Sequence, residues 1–137
     1  MDKHNLVTEI FDKFNPVFGL SGRIFMALIF LVSGYGKIGG YAGTQGYMEA
    51  MGVPGALLPV VILIELVGGA AIIMGWQVRI IALLMAGYCL LTGALFHFQP
   101  ADQVQFIMFL KNLAMAGGFL FLVQNGAGTL SVDNRNT

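Results

Sequence analysis

The chain has 137 residues, 57% of them hydrophobic and only 10% charged, with a mean hydropathy of +0.79. That composition belongs to the membrane class rather than to a soluble domain of this length. Seven Lys and Arg balance seven Asp and Glu, with no basic run to suggest nucleic acid and no acidic tail to suggest a soluble partner.

The first fifteen residues place Leu6, Ile10, Phe11 and Phe14 on one side of a short amphipathic helix. It is expected to lie at the membrane surface and to end at Pro16. A transmembrane helix needs about 20 mostly apolar residues, and four segments meet that length: 18–36, 57–75, 78–97 and 104–123. They use up most of the chain and leave room for one domain, 1–137. The first run leads into Ser33-Gly34-Tyr35-Gly36-Lys37 without a clean small-x-small site, so it reads as a retained helix and not a cleaved leader. The fold expected is all-α, a bundle of four membrane-spanning helices.

Within the first span Arg23, Ala27, Phe30, Gly34 and Lys37 recur at spacings of four and three, and so share one face. Segment 39–55 should hold a short interfacial helix capped by Thr44 and closed by Gly52-Val53-Pro54-Gly55. Such a helix could roof a pocket or merely anchor the surface. Pro59 falls in the first turn of the second span, where a missing N–H is harmless. The Trp76-Gln77 turn makes spans two and three antiparallel neighbours. The third span ends at His97, Asp102 is placed to cap the last helix, and Gly126 to end it, with a loose tail over 131–137.

Charges inside these runs need a reason, because one at mid-bilayer costs roughly 2.5–3.5 kcal/mol on insertion scales. Glu65 sits near the middle of the second span, Lys111 and Asn112 within the last, and Arg23 within the first. The reading is an Arg23–Glu65–Lys111 network with Asn112 at its edge. Two cations for one anion suit an anionic ligand, or a carbonyl that gains charge on reduction. A buried network that only fixes helix pairing is the competing reading. Lysines and arginines gather at the ends that would share a side with the N-terminus, so both termini are expected in the cytoplasm.

In order along the chain, these residues resemble the DoxX family of small four-helix inner-membrane proteins. The likeness covers roughly 23–133. It rests on Arg23, Gly36-Lys37, Gln45-Gly46-Tyr47-Met48 with Gly52-Val53-Pro54, Glu65 before Gly68-Gly69, Gly75, His97, Lys111-Asn112, Gly117-Gly118 and the glycine-rich ending 126–133. It implies a multi-pass protein of the bacterial inner membrane, of the kind described as quinol oxidase subunits, and a link to quinone chemistry.

The residues limit that chemistry. The one cysteine, Cys89, excludes an intramolecular disulfide, a CxxC pair and a thiolate-ligated iron–sulfur cluster. His4 and His97 lie near opposite surfaces, so one protomer cannot ligate haem with both, and a zinc or copper site lacks ligands too. The expectation is no covalent cofactor and no metal, with a quinone held noncovalently. Glu65 and His97 are the candidate catalytic residues, and Arg23, Lys37, Lys111 and Asn112 the ligand-binding ones. The partners expected are the lipid bilayer, a redox or assembly protein, and a second copy in a homo-oligomer. Two alternatives stay open beside the redox subunit: a non-enzymatic assembly scaffold and a small transporter, the latter weakened because no broken helix or inverted repeat is visible.

Overall fold

The computed structural model describes residues 3–135, with side chains from Asn5 onward. The side chain of His4 and the last two residues of the tail lie outside the described part. Five α-helices follow one another: α1 (Lys3–Gly39), α2 (Tyr41–Ala50), α3 (Leu58–Met74), α4 (Val78–Thr92) and α5 (Gln103–Asn125). A 3-10 turn at Gly55–Leu57 leads into α3, and a π-helical turn at Gly93–His97 extends α4. Four segments are long and apolar enough to cross a membrane: Asn5–Gly39, Gly55–Met74, Val78–His97 and Gln103–Asn125. The chain is an all-α membrane bundle.

Helix α1 packs on α3, α3 on α4 and α4 on α5, while α1 and α5 touch only sparingly. The core between them is built from Ala27, Phe30, Ile72, Met85 and Phe119, with the Phe30 and Phe119 rings 5.6 Å apart. Large residues such as Phe25, Leu63, Leu84 and Phe121 point outward, as a surface facing lipid requires.

The structure departs from three expectations of the sequence. Pro16 does not end a helix: α1 runs through it without a break from Lys3 to Gly39. The lost N–H costs one hydrogen bond, and the Phe11 and Phe18 rings, 6.2 Å apart, meet on either side of it. At 37 residues α1 is about 55 Å long, well beyond the ~30 Å hydrocarbon core. Thr44 does not cap α2, which already starts at Tyr41; its hydroxyl instead donates back to Gly40 O at 2.9 Å.

The tail is not loose over its described part. Val132 N and Asp133 N donate to Met74 O and Gly75 O at 3.0 and 2.9 Å. The Asp133 carboxylate accepts from Gln77 N at 2.7 Å and Val78 N at 2.9 Å, capping α4 from 55 residues away. A polar end whose donors and acceptors match an uncapped helical turn is ordered by that turn.

Asp102 does cap α5, accepting from Val104 N and Gln105 N at 3.0 and 3.2 Å. Gly126 ends α5 at φ 77°. The α3–α4 turn closes on Gly75 at φ 74°. A Cβ there would run into Ser131 and lie 2.8 Å from Arg23 Nη1, so the turn needs glycine for its conformation and for the space.

Candidate functional site

Helices α1 and α3 run antiparallel, and their register decides which charges meet. Arg23 lies against Gly75, while Gly34 lies against Glu65 and Leu66. Eleven residues along α1 therefore match ten back along α3. Glu65 is placed opposite the last turns of α1, where Ser33 and Lys37 stack at i and i+4.

Lys37 Nζ forms an ion pair with Glu65 Oε1, lies 3.2 Å from Oε2, and donates to Ser33 Oγ at 2.6 Å. Ser33 Oγ in turn donates to Glu65 Oε1 at 3.3 Å. The carboxylate is 3% exposed and the lysine 27%. Tyr88 of α4 lines the same cavity as the carboxylate.

The expected Arg23–Glu65–Lys111 network does not form. Arg23 is fully buried at the other end of the bundle, where its guanidinium donates to Ile72 O at 3.1 Å, Ile73 O at 2.7 Å and Leu130 O. It ties the last carbonyls of α3 to the tail. From Arg23 to Lys37 is fourteen residues, about 21 Å along a helix, far beyond the reach of a guanidinium.

Lys111 is exposed, and its ammonium lies 3.4 Å from Met108 Sδ, a weak acceptor. No carboxylate pairs with it among the described residues. Asn112 is buried between α4 and α5, its amide nitrogen donating to Cys89 O at 3.1 Å and Thr92 Oγ1 at 3.2 Å. Gly93 makes room for it, since a Cβ there would lie 3.0 Å from Asn112 Cβ.

Lys37, Glu65, His97, Lys111 and Asn112 all line one cavity of about 210 Å³, while Arg23 does not. Helix α2 roofs it: Tyr47 stacks on Phe96 of the π-helical turn with ring centroids 5.7 Å apart, and Met48 is buried beneath. His97 Nδ1 lies 2.9 Å from Gln105 Oε1. With that oxygen accepting, Nδ1 carries the proton and Nε2 is the accepting atom of the ring.

Ser33 and Tyr88 are polar members of the site that reading the sequence missed. Ser33 could have been found from its i, i+4 relation to Lys37. Tyr88 shares a face with Thr92, but nothing in the sequence says that this face meets Glu65.

These features define a four-helix integral membrane protein with a largely apolar cavity that carries a few polar side chains and is roofed by α2. The DoxX family model matches residues 18–98, and the chain belongs to the DoxX family. It is 53% identical over 121 residues to the Escherichia coli (strain K12) inner membrane protein YqjF, covering 88% of this chain and 93% of that one. To the inner membrane protein YphA of the same organism it is 35% identical over 132 residues, 91% and 94% of the two chains. A shorter likeness, 34% over 64 residues, covers 47% of this chain and 48% of CatD from Bacillus subtilis (strain 168), a protein provisionally named an oxidoreductase. No solved structure matches the chain.

Proposed function

We propose that this protein is a subunit of the bacterial inner membrane that binds the head of a quinone-like molecule in the cavity beneath α2, as part of a redox complex. The observation that carries this reading is the lining: a buried carboxylate, an imidazole and a cation with no ion-pair partner among the described residues, all on one partly open cavity. The provisional name of CatD lends it weak support. At about 210 Å³ the space falls below the ~300 Å³ of the smallest drug-sized pockets, which suits a single substituted ring.

A bound quinone would supply two-electron, two-proton chemistry at its oxygens, with the electrons coming from a partner redox protein. Lys111 would hold an oxygen and favour negative charge on it. Ser33 and Lys37 position the Glu65 carboxylate, which can hold or pass a proton at Oε1 or Oε2. His97, toward the α2 end of the bundle, would exchange protons with water through Nε2.

Glu65→Gln tests the role of the carboxylate, because it keeps the shape and much of the hydrogen bonding while removing the proton exchange. The variant is expected to fold, to bind quinone analogues, and to lose quinone-dependent turnover in membranes holding the native complex. Turnover unchanged per folded molecule would remove Glu65 from the chemistry.

One observation favours a second reading, a non-enzymatic scaffold: the Lys37–Glu65 pair also joins α1 to α3, as a helix-pairing device would. That reading expects no bound quinone and a Glu65→Gln phenotype that follows protein abundance.

The orientation that accompanies the proposal puts both termini in the cytoplasm. Lys13, Arg79 and Arg135 then lie on the inner side and Lys37 toward the outer. Reporter fusions at Thr137 and in the loop 99–102 check it; a periplasmic signal from Thr137 would reverse it.

A further inference from the structure

We propose that the ligand carries an apolar tail, and that the tail lies along the seam between α1 and α5. It would run from the cavity beneath α2 into a second cavity farther along the same seam. The inference rests on the first cavity being a ligand site and names the class of molecule it takes: an oxygen-bearing ring on a long flexible chain.

The second cavity, of about 820 Å³, lies between the earlier part of α1 and the end of α5. On α1, the lining passes from Phe30 in the first cavity to Met26 and Gly22 in the second, each one turn apart on the same face. On α5 it passes from Lys111 and Met115 to Gly118 and Leu122, again on one face. The two cavities are thus successive openings along one line of contact.

What divides them is the Met26 side chain seated on Gly118. A Cβ at Gly118 would lie 2.7 Å from its sulfur and 2.8 Å from its Cε. An unbranched thioether is the side chain most able to swing aside. Arg23 also lines this cavity beside Gly22, its guanidinium held by the carbonyls of Ile72, Ile73 and Leu130. Beyond Leu122 the lining turns polar at Asp12, Asn15, Asn125 and Thr129, which marks where an apolar path ends. From Lys111 to Asn125 is fourteen residues, about 21 Å of seam. The first cavity holds a ring but no chain, and the adjoining seam supplies the room.

Gly22→Leu is the test. A Cβ at Gly22 meets nothing within 4 Å, so a leucine fits the helix and fills the second cavity from its wall. Leu122→Phe fills it from the other side should the first variant fail to fold. Gly87→Leu, on α4 and outside both cavities, is the control, since a Cβ there also meets nothing within 4 Å. The probes are a methyl-substituted benzoquinone without a chain and the same ring bearing a decyl chain, titrated calorimetrically in one detergent. Comparing the chain preference between proteins cancels partitioning into the micelle.

Wild type and Gly87→Leu are expected to show the same preference for the decyl probe over the chainless ring. In Gly22→Leu that preference should fall by about threefold or more relative to wild type, with affinity for the chainless ring unchanged. A chain preference in Gly22→Leu equal to that of wild type and Gly87→Leu would overturn the inference and leave the ring site standing. Binding of neither probe to folded wild type would overturn the ring site and this inference together.

Discussion

Glu65, Lys111 and His97 stand out in the sequence because a polar group in an apolar run has a cost that something must offset. Their partners do not stand out. Whether Glu65 meets Arg23 or Lys37 depends on how α1 and α3 are registered, and depth measured from assumed helix centres misplaces it. Helix α1 extends to Lys3, so the midpoint of its apolar run is not the level of Glu65. The Lys37–Glu65 pair predicts a coupling that can be measured. Lys37→Ala leaves a carboxylate that is 3% exposed without its cation, and should cost about 3 kcal/mol, the lower end for a broken buried pair because the lysine is itself partly exposed. Adding Glu65→Ala should restore about 1–3 kcal/mol of that loss in thermal unfolding in detergent. Strictly additive losses would mean that the two side chains do not support one another.

Helix ends were legible where the capping residue is local. Asp102 before α5, Gly126 after it and Pro59 in the first turn of α3 act within a few residues of the backbone they serve. The cap of α4 is different, because its carboxylate comes from Asp133, and no local pattern links that residue to Gln77 and Val78. Arg23 belongs to the same clasp, holding the end of α3 and the tail together through carbonyls. The register of α1 against α3 that separates it from Glu65 is what brings it to these carbonyls. Asp133→Ala should therefore destabilise the bundle by about 0.5–2 kcal/mol, the usual worth of a helix cap. It should also open the bonds beyond Leu130 to limited proteolysis while leaving quinone-analogue affinity unchanged. A tail as resistant to cleavage as in wild type would contradict the clasp.

At the scale of the whole molecule, composition alone carried the fold class. Four apolar runs that use up most of the chain leave few alternatives to a bundle, and the spanning helices fall within a few residues of the expected ones, apart from the long start of α1. The cavity was legible only as a list of polar residues. Its wall of Tyr88 and Thr92, its Tyr47–Phe96 roof and the exclusion of Arg23 depend on helix rotation, which a short apolar run does not specify. The proposed role of this cavity is to hold a quinone-like ring against Lys111. The most direct test is mass spectrometry of small molecules retained by the wild-type protein and by Lys111→Met after mild detergent extraction, at matched folded yield. Wild type is expected to retain a quinone at close to one per protein, and Lys111→Met at least tenfold less, as loss of a charge-assisted contact implies. Folded wild type that neither retains nor binds any quinone would contradict that role.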